Sequence, residues 1–365
     1  MFSYRMIKKA RIFIFTILST YSLNHLSSFA TSLKTSKKTE PLNKPKICMV
    51  LDKGGKDDHS FNESAVMGFN KAKTDFAIDE KSKFVEPQND SQITQFFRSF
   101  ATSVNCDLII AIGFTPAAHL PDLATKYPSK KFLAVDINME DKNKAKNIRS
   151  ITFQEHDGSF LVGAIAAMKS TSGKIGFIGG MNVPLIRRFE TGYSAGAKYV
   201  NSKIKVGTGY VGVTHDAWNN PAKAKELALS QYNEGTDVIF QVAANSGQGV
   251  FDSAEQMNKQ SKQKKKYYAI GVDSNQNWIK PDVIITSMVK RVDNAVYNSV
   301  KDFVANKFTA NHTVYGLKDG GVDWAYDEHN KKFFTESQIK EINSIKEKIM
   351  TGKITVPDYY KLDKK

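Results

Sequence analysis

Cysteine is scarce in this sequence of 365 residues, which contains only Cys48 and Cys106. Each cysteine lies beside an apolar segment that is expected to form a buried strand. We therefore expect two ordinary buried thiols, with a disulfide between them as the less favoured alternative. Neither cysteine directly follows the N-terminal apolar segment. The sequence thus argues against a lipid anchor on an N-terminal cysteine.

Familiar catalytic and metal-binding spacings are also missing. The seven histidines form no H-x-x-x-H or Cys/His ligand pattern, and no G-x-S-x-G motif is present. The segment "DKGGKDD" fits neither of the glycine-rich spacings that cradle phosphate groups. Asp52, Asp57 and Asp58 are close in sequence, but Lys53 and Lys56 lie between them, which disfavours a metal site. The sequence predicts no catalytic residue, no metal and no cofactor.

The apolar run near the N-terminus, "IFIFTIL", is too short to span a bilayer comfortably. Four basic residues precede it and small residues follow it up to Ala30. This pattern is typical of a secretory signal cleaved after Ala30, and an uncleaved membrane anchor is the alternative. Residues 31–45 are polar, rich in lysine and end in proline. We expect a signal peptide over 1–30 and a flexible linker over 31–45.

Lysine and arginine together outnumber the acidic residues, and the formal net charge is +15. Removal of the predicted signal, which has four basic and no acidic residues, lowers the net charge from +15 to +11. The lysines are scattered or concentrated in polar segments such as "KQSKQKKKYY", and they do not alternate with aromatic residues along one helix. This favours a solvated basic surface and argues against nucleic acid as a partner.

From residue 46 onward, short apolar runs rich in Ile, Val and Leu alternate with helical patterns, and the alternation restarts after residue 151. Apolar runs without strict alternation are typical of strands covered on both faces. The pattern predicts an α/β fold with two parallel sheets built from right-handed crossovers. No short-period repeat is evident, which excludes solenoids and propellers.

Aspartates end several of the apolar runs. Asp52, Asp136 and Asp273 follow "MVL", "LAV" and "IGV", and Asp157 ends "FQEHD". Ligands of open α/β sheets bind outside the carboxyl ends of the strands. A single aspartate there could equally be a helix cap or a turn residue. Several together predict a shared crevice.

Aromatic and amide side chains accompany these aspartates. Phe61 and Asn62 follow the glycines of "DKGG", and Trp218 lies in the asparagine-rich turn "HDAWNNP". Flat apolar faces beside carboxylates suit a ligand that has both a ring and hydroxyl groups. Core packing is the alternative role for the two rings.

Six segments in the same order along the chain resemble the basic membrane protein family of bacterial substrate-binding proteins. They cover most of residues 46 to 300 and comprise "DKGGKDDHSFNESAVMGF", "EHDGSFLVGAIAAMKSTSGKIGFIGGMNVPLIRRFETGYSAGAKYV", "WNNPAKAKELA", "DVIFQVAANSGQGV", "IGVDSNQ" and "TSMVKRVDNAVY". The resemblance implies a type I periplasmic-binding-protein fold with two Rossmann-like lobes and a three-stranded hinge. We assign residues 46–154 plus 275–312 to the first lobe, and residues 155–274 plus 313–365 to the second.

The resemblance also implies a function and a set of ligand contacts. It implies a purine nucleoside held between the lobes for an ABC transporter. Phe61 and Trp218 would stack on the base, while Asp58 and Asp136 would bind its edge. Purine receptors can have asparagine where this chain has Asp58, and a carboxylate cannot donate a hydrogen bond, so the preferred base stays open.

The remaining implied contacts are with the sugar. Asp273, Lys290 and the backbone of Gly247 would hold the ribose hydroxyls, and Asp52 would shape the first turn. We expect a non-enzymatic, monomeric periplasmic receptor whose partners are a nucleoside and a membrane permease. Many members of the family are lipoproteins, but the absence of a lipobox cysteine here favours a freely diffusing protein. A nucleoside hydrolase, and a protein of the same fold for a sugar or a signalling ligand, are the alternatives.

Overall fold

The two series of apolar runs form two six-stranded sheets. The computed structural model describes residues 44–103, 106–115, 119–139, 145–261 and 266–362. The predicted signal peptide, and the predicted linker except for its last two residues, lie outside the described residues. Among the helices that the structure describes, none is both long and apolar enough to cross a membrane.

The strands are short and mostly apolar, and the central ones are buried along their whole length. In chain order they are β1 (Ile47–Val50), β2 (Lys83–Val85), β3 (Leu108–Ile112), β4 (Lys131–Val135), β5 (Ile148–Phe153), β6 (Lys174–Met181), β7 (Lys205–Gly212), β8 (Val238–Val242), β9 (Tyr268–Asp273), β10 (Ile284–Lys290), β11 (His312–Tyr315) and β12 (Val322–Trp324).

Helices follow most of the strands and cover the sheets. They are α1 (Phe61–Asp75), α2 (Asp90–Thr102), α3 (Leu120–Lys126), α4 (Glu155–Lys169), α5 (Pro184–Val200), α6 (Pro221–Asn233), α7 (Gln248–Gln260), α8 (Val292–Val304) and α9 (Glu336–Met350).

The strand order is β11-β5-β4-β3-β1-β2 in the first sheet and β12-β10-β9-β8-β6-β7 in the second. Every pairing in the first sheet is parallel. The second sheet is parallel except that β12 runs antiparallel to β10. The predicted pair of doubly wound α/β sheets is therefore confirmed, with one antiparallel edge strand that the sequence pattern does not predict.

The chain passes between the two sheets three times: between β5 and α4, between β10 and α8, and between β11 and β12. These crossings divide the described chain into a first lobe, residues 44–153 and 292–315, and a second lobe, residues 155–290 and 322–362. The predicted boundaries differ, because they placed 275–312 in the first lobe and 313–365 in the second. Strand β10 continues the second sheet and β11 joins the first, and a buried apolar strand does not reveal which of two similar sheets it enters.

Helices α4 and α5 pack closely because glycines face the neighbouring backbone. A Cβ atom at Gly163 would lie 2.1 Å from the carbonyl oxygen of Tyr193, and one at Gly196 would lie 1.9 Å from that of Phe160. Larger residues at these two positions would force the helices apart. This contact holds the N-terminal end of α5 beside the crossing from β5 to α4.

Cys48 and Cys106 form a disulfide, with their Cα atoms 5.9 Å apart. The expectation of two free thiols is therefore wrong. Cys48 lies in β1, and Cys106 precedes the adjacent parallel strand β3 by two residues. Both side chains enter the same buried cluster on one face of the first sheet. The separation of 58 residues in the chain conceals this proximity.

We predict that replacing both cysteines with alanine lowers the free energy of unfolding by about 4 kcal/mol, since the bond closes a loop of 58 residues. Urea denaturation of the variant and of the oxidised wild type measures the difference. Two reactive thiols in the wild-type protein, when unfolded without reductant, would contradict the pairing.

Candidate functional site

A pocket lies between the carboxyl ends of the strands of the two sheets and encloses about 500 Å³ of empty space, part of it open to solvent. Both lobes contribute to its wall, which consists of Asp52, Lys53, Phe61, Asn62, Gly113, Phe114, Asp136, Leu185, Ile186, Phe189, Trp218, Val242, Ala244, Asp273 and Lys290. The wall thus contains seven of the ten residues that the sequence nominated.

Asp136 and Asp273 face the pocket from equivalent strands of the two sheets. Asp136 follows β4 and Asp273 ends β9, and each of these strands is third in its sheet order. Both residues have left-handed backbone conformations, with φ of +64° and +63°. Such values are uncommon for residues other than glycine and concentrate at functional sites. The strained turns place one carboxylate from each lobe at the same end of the pocket.

Lys290, the last residue of β10, joins the two carboxylates. Its Nζ atom lies 2.5 Å from Asp136 Oδ2 and 3.6 Å from Asp273 Oδ1. Burial favours the neutral amine, but the nearby carboxylates of Asp136, Asp273 and Glu155 outweigh it and raise the pKa of Lys290. The side chain is therefore an ammonium, only 2% exposed, whose charge the two aspartates share.

Two carboxylate oxygens of this cluster have no hydrogen-bond partner within the described chain, Asp136 Oδ1 and Asp273 Oδ1. Burial raises the pKa of Asp273, although Lys290 opposes the shift. A buried acceptor without a donor costs free energy unless a ligand or water supplies the donor. The cluster can therefore accept hydrogen bonds from hydroxyl or amino groups of a bound molecule.

Aromatic rings from both lobes form the other walls. Phe61 begins α1 in the first lobe, and Trp218 lies in the short 3₁₀ helix His215–Asn219 of the second lobe. The ring of Trp218 packs against β6 where a Cβ atom at Gly180 would lie 2.1 Å from it. Phe114, which follows β3, meets Trp218 edge-on with ring centroids 6.4 Å apart. The pocket can therefore hold a flat ring between apolar faces.

Asp52 and Asn62 lie on the wall but also organise the turn after β1. Asp52 Oδ1 accepts hydrogen bonds from the Lys53 backbone N–H at 2.8 Å and from the Thr115 hydroxyl at 3.3 Å. Burial raises the pKa of Asp52 to about 6 against these bonds. Asn62 Oδ1 accepts from the Asp52 backbone N–H. Asn62 thus contributes shape to the pocket, because its amide is already occupied by the turn.

Asp58 does not lie on the pocket wall. Its carboxylate is buried and accepts hydrogen bonds from the backbone N–H groups of Ser60, Asn62 and Glu63, and from the Asn62 amide. Burial raises its pKa to about 6 despite these donors. The structure places Asp58 as the support of the first turn of α1, which is a different place from the predicted contact with a base.

Gly247 and Asp157 also lie off the wall. Gly247 ends the 3₁₀ helix Ala244–Gly247 and packs on Gln241, where a Cβ atom would lie 2.1 Å from the side-chain oxygen. Asp157 is in the first turn of α4, four residues beyond the end of β5, and does not end a strand.

Several wall residues were not nominated from the sequence. Phe114 directly follows the Gly113 turn after β3, so the same strand-end rule that selected the aspartates could have found it. Phe189 comes from the interior of α5, where nothing in the local pattern separates a pocket residue from a core residue.

Two doubly wound α/β lobes, three crossings and a pocket between the strand ends define a two-lobed binding protein of the periplasmic type. A solute-binding protein of an ABC transporter system from Aeropyrum pernix shares this fold, with a TM-score of 0.77 at 26% identity over 86% of this chain and 94% of that one. The arabinose-binding protein AraP of Geobacillus stearothermophilus, at 13% identity and a TM-score of 0.59, shares the fold alone.

The particular family follows from the sequence match. Residues 45–359 match the family described as "ABC transporter substrate-binding protein PnrA-like". The nucleoside-binding protein BmpA of an ABC transporter from Lactococcus lactis is 34% identical over 86% of this chain and 89% of its own. Basic membrane protein A of Borreliella burgdorferi is 32% identical over 86% of this chain and 88% of its own. The chain belongs to this family of transport binding proteins, which excludes the hydrolase alternative.

We predict that Asp58→Ala lowers the free energy of unfolding by about 1–3 kcal/mol, because it leaves buried donors of α1 without an acceptor. Urea denaturation measures the loss. Asp57→Ala is the matched control. That neighbouring carboxylate is exposed, so its removal should leave the free energy of unfolding unchanged. A variant as stable as the wild type would contradict the assigned support of α1.

Proposed function

We propose that the protein binds a nucleoside in this pocket and presents it to an ABC transporter. The observation that carries the proposal is a pair of carboxylate oxygens on Asp136 and Asp273 that have no hydrogen-bond partner in the described chain. They lie beside the Lys290 ammonium and next to aromatic walls from both lobes. A ribose supplies hydroxyl donors and a base supplies a flat ring. The nucleoside-binding relative from Lactococcus supports the same ligand class.

The ligand then lies with its base toward Phe61 and Trp218 and its ribose toward Asp273 and Lys290. Asp136 accepts a hydrogen bond from the edge of the base. Since a carboxylate only accepts, Asp136 favours bases that present N–H groups there. A purine is the proposed base, because a bicyclic ring overlaps an indole face more fully than a single ring does.

Capture works by closure of the lobes. Phe61 belongs to the first lobe and Trp218 to the second, so the aromatic contacts are complete only when the lobes meet. A ligand shifts the equilibrium toward the closed form only by the contacts it gains there. The closed form is the species that would dock on the membrane permease.

The proposed location is the periplasm, outside the cytoplasmic membrane. The disulfide between Cys48 and Cys106 supports it, because such bonds persist in oxidising compartments and are rare in the cytosol. The predicted secretory signal supports the same location.

We predict that Trp218→Ala weakens nucleoside binding by about 1–3 kcal/mol, the scale of one base–aromatic stack. Isothermal titration calorimetry with purine and pyrimidine nucleosides, and with ribose and arabinose as controls, measures the loss and the base preference. Trp278→Ala is the matched control, since this half-exposed indole does not line the pocket. Binding of a free sugar with no nucleoside affinity would overturn the proposed ligand.

We predict that Asp273→Ala weakens nucleoside binding by at least about 1–3 kcal/mol, since buried ribose hydroxyls lose their acceptor. Affinity for the free nucleobase should change little, because the base lies away from this carboxylate. The comparison of nucleoside and nucleobase in the same titration isolates the sugar contact. An equal loss for both would place Asp273 at the wrong end of the ligand.

A further inference from the structure

At the mouth of the pocket, one histidine of the second lobe contacts the first lobe through both of its ring nitrogens. His215 begins the 3₁₀ helix His215–Asn219. Its Nδ1 atom lies 3.0 Å from Asp90 Oδ2 and its Nε2 atom 3.2 Å from the Thr115 hydroxyl. The ring also packs on Phe114 at a centroid distance of 5.6 Å. All three partners belong to the first lobe.

The next residue makes a second contact between the lobes. Asp216 Oδ1 lies 2.6 Å from Lys53 Nζ, again from the second lobe to the first. The Asp216 side chain is 80% exposed, whereas that of His215 is 19% exposed. Because exposed ion pairs contribute little, His215 is the main element of this contact. We call the set His215, Asp216, Asp90, Thr115 and Lys53 the mouth latch.

The mouth latch is built onto pocket residues at both ends. In the second lobe, His215 precedes Trp218 by three residues in the same short helix. In the first lobe, Thr115 follows Phe114 and donates a hydrogen bond to Asp52 Oδ1 at 3.3 Å. His215 itself does not line the pocket. Formation of the mouth latch therefore brings the indole of Trp218 against the first lobe. His215 achieves this from outside the pocket wall.

We propose that His215 is a positioning residue for ligand capture, which holds the helix of Trp218 against the first lobe and slows reopening of the pocket. The proposal rests on the proposed function of nucleoside binding, and it adds the group that controls how long the ligand is retained. The latch forms whenever the lobes close, with or without ligand, and it slows the opening step through which a bound ligand leaves. The latch also changes the dissociation rate of every ligand by the same factor, whereas a residue of the pocket wall changes it differently for different ligands.

The test is stopped-flow fluorescence with two or more nucleosides on the full chain. His215→Ala should raise the dissociation rate roughly five- to tenfold, the scale of a lost hydrogen bond, and leave the association rate unchanged. The factor should be the same for each nucleoside. His215→Gln should recover part of the loss, because an amide can still reach one or both partners. His329→Ala is the matched control, since His329 pairs with Glu328 within its own lobe.

A double-mutant cycle separates the latch from general loss of structure. Asp90→Asn should raise the dissociation rate, and the His215→Ala/Asp90→Asn variant should show less than the product of the two single effects. Independent, multiplicative effects would overturn the coupling. An unchanged dissociation rate in His215→Ala, or unequal factors for different nucleosides, would overturn the positioning role.

A measurement without ligand keeps the latch testable apart from the proposed function. Small-angle X-ray scattering of the ligand-free proteins should give a larger radius of gyration for His215→Ala than for the wild type, because the lobes separate more often. Equal radii would contradict the latch. Absence of nucleoside binding by the wild type would refute the proposed function alone, and the scattering comparison would still decide on the latch.

Discussion

The buried ammonium of Lys290 is the interaction on which the rest of the site depends. It comes from the strand that leads into a crossing between the lobes, and it holds one carboxylate from each lobe, Asp136 and Asp273, at 2.5 and 3.6 Å. Removing three charges from water is costly, and mutual attraction repays the cost only when the remaining polar atoms are also satisfied. Here one oxygen on each aspartate has no hydrogen-bond partner in the described chain, although Asp273 Oδ1 lies within ion-pair distance of Lys290 Nζ. A ligand with hydrogen-bond donors could use this acceptor capacity, which lies where two non-glycine residues have left-handed backbones.

The same position makes the polar end of the pocket the more rigid one. The crossings lie close to Lys290, and a buried network braces them: Arg188 of α5 donates to the Phe153 carbonyl, to Glu155 at 2.7 Å and to Asp358 at 2.8 Å. Groups near a hinge move least when lobes rotate, and groups at the mouth move most. In the proposed closure, the carboxylates near the crossings therefore move less than Trp218 and the mouth latch. The proposal thus places contacts with the sugar and retention of the ligand at opposite ends of one pocket.

The sequence predicts which residues line the pocket better than it predicts the covalent and topological details. Asp52, Asp136 and Asp273 were found because strand ends in open α/β sheets converge, a rule that needs only local apolar runs. Asp58 differs because a carboxylate three residues before the start of a helix can equally well accept hydrogen bonds from the backbone N–H groups of that helix. The spacing does not distinguish that role from ligand binding. The disulfide, and the sheets that β10 and β11 join, depend on which segments become neighbours in space. That information is non-local, and with two similar sheets in one chain the pattern of a single strand does not carry it.

The charge of the cluster also limits what the pocket can hold. Asp136 and Asp273 together outweigh Lys290 by one negative charge when both are ionised, and Lys53, which also lines the pocket, is paired with Asp216 at 2.6 Å. An anionic group placed about 4 Å from one further carboxylate would meet a repulsion of about 4 kcal/mol at an effective dielectric constant near 20. Hydroxyl and amino groups meet no such penalty and satisfy the unpartnered oxygens. In the proposed binding mode, the site therefore favours a neutral, donor-rich molecule over its phosphorylated form, because Asp136 and Asp273 would repel the added anion.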